Sequence, residues 1–526
     1  MTTELLAPLD LAFWHLESPD HPMHLGALAV FEAAPDGPGA PGARTGAGDG
    51  ALLDLLATRA AAVPRLRMLV QDVLLPVGGA AWSVDKDFDV RRHVRLVELP
   101  PGDFAEESAR LAGELMERPL ERGIPPWEMY LLAGGPVPGE ATGGDGSTGD
   151  APAGRSFAVL VKLHHALADG MRAVAIGAGI FDEIADARAA GARRSRPAPP
   201  RSRLPGPWQM ADTVRNRLGE LGRALGIGAS VVRASRFDPR GTPALTAGSS
   251  GTRQLATSVL ALEDVRQVRR AHGGTVNDVL LATVAGALRR WLLERGEELP
   301  DRDPRSDPRA LVPVSGRRPS RARQSAGSGG GSGSGNMLSA YLLGLPVSEP
   351  DPLSRLTAVR RDMDRNKKDG PSRGAGALAV LAGQLHPLAH RLGAPIAGSA
   401  ARILFDVLVT SVPLPRATLS FAGCPLREIY PMAPLARGQS LAVGLTTYGG
   451  QVHVGLVADG KAVPDLGGLA KNMNEELDEL LRATVPTGPA GPAGTAGAPA
   501  ATVPAERAVS AVSAVPAVSA GADLGG

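Results

Sequence analysis

The stretch "FAVLVKLHHALADG", residues 157–170, constrains the fold more than any other part of the chain. A run of β-forming apolar residues ends on two adjacent histidines, His164 and His165. The text beyond, "GMRAVAIGAGIFDEIADA", repeats its apolar positions with a helical period. A strand that delivers a polar pair to a turn and then gives way to a helix belongs to α/β architecture, where strand ends point side chains into a cleft on rigid backbone. The alternation recurs. "GGTVNDVLLATVAGALRRWLLE" predicts a helix with Thr275 as N-cap and Asp278 three residues on, near the positive end of the helix dipole. "LAVGLTTYGGQVHVGLVAD" predicts two strands joined at Gly449 and Gly450. The fold class expected is α/β with mixed sheets.

At 526 residues the chain exceeds one ordinary core and predicts two or three domains. Four stretches rich in Gly, Pro, Ser and Ala read as flexible insertions or tail: Ala33 to Gly50, Gly134 to Gly154, Pro319 to Gly335, and everything after about Thr484. Between Gly191 and Arg240 eleven arginines face three acidic residues, and Trp208, Val214, Leu218, Leu221 and Leu225 recur at helical spacing. This predicts a basic crossover helix, read either as a solvated linker or as a contact for an anionic lipid surface. The expected division is 1–190, a linker over 191–250, a second domain over 251–483 and a disordered tail over 484–526.

A formal net charge of +2 is nearly balanced, which argues against nucleic acid as the main partner, since phosphate binding usually shows as a concentrated basic face. The single cysteine, Cys424, excludes an internal disulfide and supplies no metal framework. The N-terminal text lacks a basic segment followed by an apolar one, and the apolar run Gly374 to His390 is too short to span a bilayer. A cytoplasmic protein, soluble or peripheral to a membrane, is expected.

Only ten histidines occur in the chain, so two side by side need a reason. An alcohol is a poor nucleophile at neutral pH. A positioned imidazole removes its proton during attack on a carbonyl, which is worth roughly 10²–10⁴ in rate. A second imidazole can fix the tautomer or packing of the first. Asp169, four residues after His165, reaches back to it if the intervening segment is helical and otherwise anchors the turn, and Gly170 permits tight turning or close approach. Two other readings stand beside this one: a structural pair, and a metal site of His164, His165 and Asp169, to which adjacent residues are poorly suited.

"HHALADG" resembles the HHxxxDG motif of the coenzyme-A-dependent acyltransferase superfamily. The blocks "PLDLAFWHLESPDHPMHLGALAVFE", "PRLRMLV", "FDVRRHVRLVELPPGD" and "PPWEMYLLAG" resemble the bacterial wax ester synthase/acyl-CoA:diacylglycerol acyltransferase family. "TVNDVLLATVAGALRRWL", "LVPVSGRR", "GNMLSAYLLGLPV", "DPLSRL" and "VADGKAVPDL" then follow in that family's order. The resemblance spans about Pro8 to Leu481. It implies two chloramphenicol acetyltransferase-like α/β domains with mixed sheets and an active-site channel at their interface.

On this chain the resemblance makes His165 the general base, His164 its supporting neighbour and Asp169 a structural organiser. Gly170 leaves room in the channel, and Asn277 and Asp278 hold the second domain's side of the site. The implied reaction moves a long-chain acyl group from acyl-CoA, a co-substrate, to diacylglycerol or a fatty alcohol, with no acyl-enzyme. No permanently bound cofactor and no metal are expected, and the partner surface implied is a membrane face or lipid body. Three blocks depart from the pattern: "TSVPLP" at 410–415 places Ser411 and Leu414 where the family has Asn and Gly, and "LERGIPPWE" and "LTAG" also differ. A different hydroxyl acceptor and a noncatalytic lipid-binding homologue are the alternatives these leave open.

Overall fold

The computed structural model describes residues 4–32, 47–74, 77–134, 156–168, 170–185, 242–246, 249–299, 306–315, 338–369, 404–415 and 417–484. The first half runs β1 (Glu4–Leu5), α1 (Pro8–Leu16), β2 (His24–Glu32), α2 (Ala47–Ala61), β3 (Met68–Asp72), β4 (Ala80–Val84), β5 (Val94–Glu98), α3 (Phe104–Glu117), β6 (Trp127–Ala133), β7 (Ser156–His164) and α4 (Gly170–Gly177). The second runs β8 (Arg253–Ala261), α5 (Leu262–His272), α6 (Val276–Glu294), β9 (Arg309–Ser315), β10 (Leu338–Gly344), α7 (Pro352–Asp369), β11 (Val407–Ser411), β12 (Ser420–Phe421), β13 (Cys424–Met432), β14 (Leu441–Tyr448), β15 (Gln451–Asp459) and α8 (Leu466–Thr484).

Two six-stranded sheets dominate, in the orders β12-β13-β2-β7-β6-β5 and β10-β9-β11-β14-β15-β8, with a small sheet β1-β4-β3 beside the first. Both large sheets are mixed. β5 runs parallel to β6, and β11 runs parallel to β9 and β14, while the remaining pairs are antiparallel. The expected α/β class with mixed sheets is what the chain forms.

Local chemistry explains several elements. Thr275 accepts from the Asp278 N–H at 3.2 Å, the N-cap its sequence predicts, and the Asp278 carboxylate accepts in return from the Thr275 N–H at 2.8 Å, which makes the start of α6 a capping box. Gly449 and Gly450 carry φ of 57° and 82°, the left-handed pair that a two-residue hairpin needs, and β14 joins β15 there. Cys424 is buried in β13.

Two local expectations are corrected. α2 begins at Ala47, inside the stretch read as flexible through Gly50, because Leu52, Leu56 and Ala60 bury one face of it. The helix after the histidines ends at Gly177 and tightens into a 3₁₀ turn over Ala178–Ile180, since glycines at 177 and 179 weaken helix continuation. The basic crossover, the stretches 135–154 and 319–335, and the tail from 485 lie outside the described residues.

The halves interlock rather than abut. β13 belongs to the second half by sequence, yet it pairs with β2 from Gly26↔Met432 to Phe31↔Leu426, completing the first sheet. It then crosses β14 and β15 where Gly444 faces Gly455, and a side chain at either position would collide with the Pro431 carbonyl. A shared core fills the joint, with Leu28, Leu115, Tyr130 and Leu160 against Leu255, Tyr430, Met432 and Val457. A polar clasp adds to it. Asp459 at the end of β15 accepts from the Ser250 N–H and hydroxyl at 2.6 and 2.7 Å, while Ser249 and Arg253 donate to the Asp20 carbonyl at 2.9 and 3.1 Å. The loop before β2 is thereby tied to the start of the second half.

Candidate active site

The two histidines face opposite sides of the first sheet, as neighbours on an extended chain must. Along β7, Val161 and Leu163 line a cavity of about 510 Å³, and His165, one residue past the strand, lines it too. Lys162 and His164 point the other way, toward α3 and the C-terminal end of α1.

His165 is fixed at its backbone and at its ring. Its main-chain N–H donates to the Met23 carbonyl at 2.8 Å, and its ring stacks on Phe13 with centroids 3.9 Å apart and planes at 21°. The rest of the cavity wall is chiefly apolar and drawn from both halves. Leu25, Ala27 and Ala29 of β2, Ala173, Val174 and Gly177 of α4, and Phe181 come from the first half. Leu311, Leu408, Val412, Leu414, Pro431 and Pro434 come from the second. The few polar groups are His165, Thr410, Ser411, Gln439 and Thr446. A wall of this composition suits an apolar ligand, and His165 is its one imidazole.

His164 is fully buried. Its Nδ1 accepts from the Ala166 N–H at 3.0 Å, so its Nε2 carries the ring proton, and that nitrogen lies 3.4 Å from Glu17 Oε1. Trp14 meets the ring edge-on at 5.0 Å, and Arg122 pairs with Glu17 while lying 3.8 Å over the Trp14 ring. Burial pushes the Glu17 carboxyl up, but the His164 contact, the Arg122 charge and a backbone bond from Met23 outweigh it and hold Glu17 below the ordinary carboxylate range.

The same face holds more buried charge and polarity. Lys162 donates to the Leu115 carbonyl at 2.9 Å, to the Arg118 carbonyl, and to Glu128 Oε2 at 3.2 Å, capping α3 and fastening it to β7. Burial lowers the Lys162 pKa, and Glu128 pulls it back. His24, cross-strand from His164, is held well below the usual imidazole value by burial and then by Lys162, His164 and Arg253.

The other sequence candidates fall as follows. Asp169 lies outside the described residues. Gly170 opens α4, the helix that contributes three wall residues. Asp278 is buried and engaged in the capping box, and neither it nor Asn277 lines the cavity. Among the described residues no group of three or more His, Cys, Asp or Glu side chains can hold a metal ion.

Sequence reasoning did not single out Phe13, Trp14, Glu17 or Arg122. A signal was present: with aromatics at only 3% of the chain, an adjacent Phe–Trp pair on a short helix is as unusual as the histidine pair it packs against. The divergent "TSVPLP" segment does form cavity wall, from Thr410 through Leu414.

The two-sheet architecture is shared with solved structures. Trichothecene 15-O-acetyltransferase from Fusarium sporotrichioides aligns with a TM-score of 0.55 at 13% identity, over 90% of this chain and 94% of that one. The wax ester synthase/diacylglycerol acyltransferase of Marinobacter aquaeolei VT8 aligns with a TM-score of 0.62 at 23% identity, over 91% of this chain and 99% of that one.

Sequence narrows this further. The wax ester synthase/diacylglycerol acyltransferase catalytic domain matches residues 6–140 and 150–280, and the family's C-terminal domain matches 334–481. A Mycobacterium tuberculosis protein named probable diacylglycerol O-acyltransferase tgs1 is 30% identical over 501 residues, covering 90% of this chain and 95% of that protein. A second from that organism, tgs2, is 30% identical over 493 residues, covering 91% and 99%. The chain belongs to the wax ester synthase/diacylglycerol acyltransferase family, and it is an acyltransferase.

Proposed function

We propose that the protein transfers a long-chain acyl group from acyl-CoA to the free hydroxyl of diacylglycerol, forming triacylglycerol, or to a fatty alcohol, forming a wax ester. The observation that carries this reading is His165 on the wall of an apolar cavity shared by both halves, in a chain of this family. His165 takes the hydroxyl proton as the oxygen attacks the thioester carbonyl. The tetrahedral intermediate collapses, the C–S bond breaks, and the coenzyme A thiolate leaves. The imidazolium of His165 then protonates that thiolate, so proton and charge balance without an acyl-enzyme. Cys424, buried in β13, is no part of this chemistry.

His164 supports its neighbour, Asp169 organises the turn, and Gly170 keeps the channel open at the start of α4. Asn277 and Asp278 serve the second half's side of the site by holding the start of α6. Acyl-CoA is a co-substrate, and no resident cofactor or metal enters the reaction. No helix among the described residues is long and apolar enough to cross a membrane. The water-insoluble acceptor is met at a membrane or lipid-body surface, with Arg193, Arg194, Arg201 and Arg203 supplying the basic contact. Flotation with anionic vesicles that is unchanged when those four are neutralised would remove that contact from the account.

Purified protein with labelled palmitoyl-CoA, offered diacylglycerol and hexadecanol separately, tests the reaction. The expected result is triacylglycerol or wax ester that disappears in His165→Ala. Product from neither acceptor, with folded protein, would shift the reading to a smaller hydroxyl acceptor or to lipid binding without turnover.

A further inference from the structure

Helix α1 and its C-cap residue place three side chains against the two histidines: Phe13 stacks on His165, Trp14 meets the edge of His164, and the C-cap Glu17 reaches the Nε2 of His164. Glu17 Oε1 and His164 Nε2 are both buried, and neither has a hydrogen-bond partner among the described residues, so at 3.4 Å each is the other's polar neighbour. On its far side Glu17 is held by Arg122, which is itself seated on Trp14. The opposite nitrogen of His164 accepts the N–H of Ala166, the residue immediately after His165.

We propose that Glu17 is a positioning residue for the acyl transfer: it keeps His164 in the Nε2–H tautomer, which leaves Nδ1 free to grip the Ala166 N–H and so fixes the backbone that aims His165 into the cavity. The proposal rests on the assignment of His165 as the base.

The physical argument runs through the imidazole's two nitrogens. A neutral ring has one donor and one acceptor, and the group facing one nitrogen decides the role of the other. A carboxylate can only accept, so it demands a proton on Nε2. Nδ1 is then a lone pair, and the main-chain N–H of Ala166 has its acceptor. Remove the carboxylate and the proton is free to move to Nδ1, where it meets the Ala166 N–H donor to donor and loosens the turn. The backbone N–H of His165 is held on one side by the Met23 carbonyl, and on the other the Ala166 bond to Nδ1 acts beside the Leu167 N–H, which donates to the His164 carbonyl at 2.9 Å. Arg122 keeps Glu17 ionised and oriented, and the indole of Trp14 orders both Arg122 and His164.

The test compares Glu17→Leu and Glu17→Gln in the full-length protein with palmitoyl-CoA as donor. Glu17→Leu removes the acceptor, whereas the amide oxygen of Glu17→Gln can still accept from Nε2. The expected pattern is a loss of kcat on the order of tenfold to a hundredfold in Glu17→Leu, with KM for palmitoyl-CoA within about twofold, and largely retained kcat in Glu17→Gln. The direct readout is the ¹⁵N spectrum of ring-labelled histidine, with His164 assigned by its loss in His164→Gln. His164 should show Nε2–H in the wild type and in Glu17→Gln.

Wild-type kcat in folded Glu17→Leu would overturn the proposal, as would an Nδ1–H tautomer at His164 in the wild type. Should Glu17→Leu fail to fold, the wild-type and Glu17→Gln spectra decide by themselves. His165→Ala, run alongside, separates the two assignments. Activity surviving in that variant defeats His165 as base, whereas the tautomer at His164 reports on Glu17 whatever the identity of the base.

Discussion

Gly286 of α6 and Glu476 of α8 occupy adjoining space so tightly that a single added methyl on Gly286 would overlap the Glu476 carboxylate. That carboxylate is buried and bonds Arg355 at 2.6 Å, and burial raises its pKa against the pull of Arg355. By helix propensity alone Gly286→Ala should stabilise α6 by about 1 kcal/mol. Packing reverses the sign, because the methyl displaces one member of a buried ion pair. The expected outcome is a net loss of about 3 kcal/mol, read as a lower urea midpoint at unchanged activity per folded molecule.

The turn between β12 and β13 gives the opposite case. Ala422 sits at φ 55°, a left-handed conformation that a side chain disfavours, beside Gly423 at 77°. Asp182 holds it there by accepting from the Ala422 and Gly423 N–H groups at 3.0 and 2.8 Å. Ala422→Gly should raise stability by about 0.5–1 kcal/mol, since the native conformation suits glycine. Asp182→Ala should lower it by more than that gain, and paired thermal melts of the two variants check both signs.

Stability should fall as pH drops from about 7.5 to 5.5. His21, His24, His93 and His453 are all held below the ordinary imidazole value, with burial the leading cause in each. The unfolded chain takes up protons as pH passes below about 6.5 while the native state resists, so ν_U exceeds ν_N and stability rises with pH through this window. Each such histidine contributes up to about 1.4 kcal/mol per pH unit below its unfolded pKa. Urea midpoints at the two pH values measure the slope, and His24→Gln should flatten it by roughly one histidine's share.

Phe13→Ala should lower kcat roughly tenfold or more while leaving the fold intact, because the stacked ring at 3.9 Å is what limits rotation of the His165 imidazole on the cavity side. Steady-state kinetics with palmitoyl-CoA, beside a thermal melt, separates this from a loss of stability. An unchanged kcat would show that the Phe13 stack is not needed to orient the His165 ring.

What could be read from the sequence was what neighbours in sequence decide. The N-cap at Thr275, the Gly449–Gly450 hairpin and the strand running into His164 all rest on residues within a few positions of one another. The pairing of β13 with β2 could not be read this way, because nothing local in "CPLREIYPM" says that its partner lies near residue 30. The support of His164 was hidden for the same reason: Glu17 ends a helix formed 147 positions earlier, and its carboxylate looks like any surface acid until the fold buries it. The start of α2 was concealed by composition, where "AGDG" reads as linker although the leucines beyond it carry a helical face.

Because β13 is the neighbour of β2 in the first sheet, the order of synthesis matters. β2 leaves the ribosome about 400 residues before the strand that covers its edge, a wait of roughly 20–80 s at about 5–20 residues per second. For that interval the nascent first half carries an unpaired edge rich in alanine, leucine and valine, the kind of edge that recruits foreign strands. A chain broken anywhere before residue 424 would leave that edge bare for good, and premature termination or proteolysis in the second half should produce an insoluble fragment rather than a half-active enzyme.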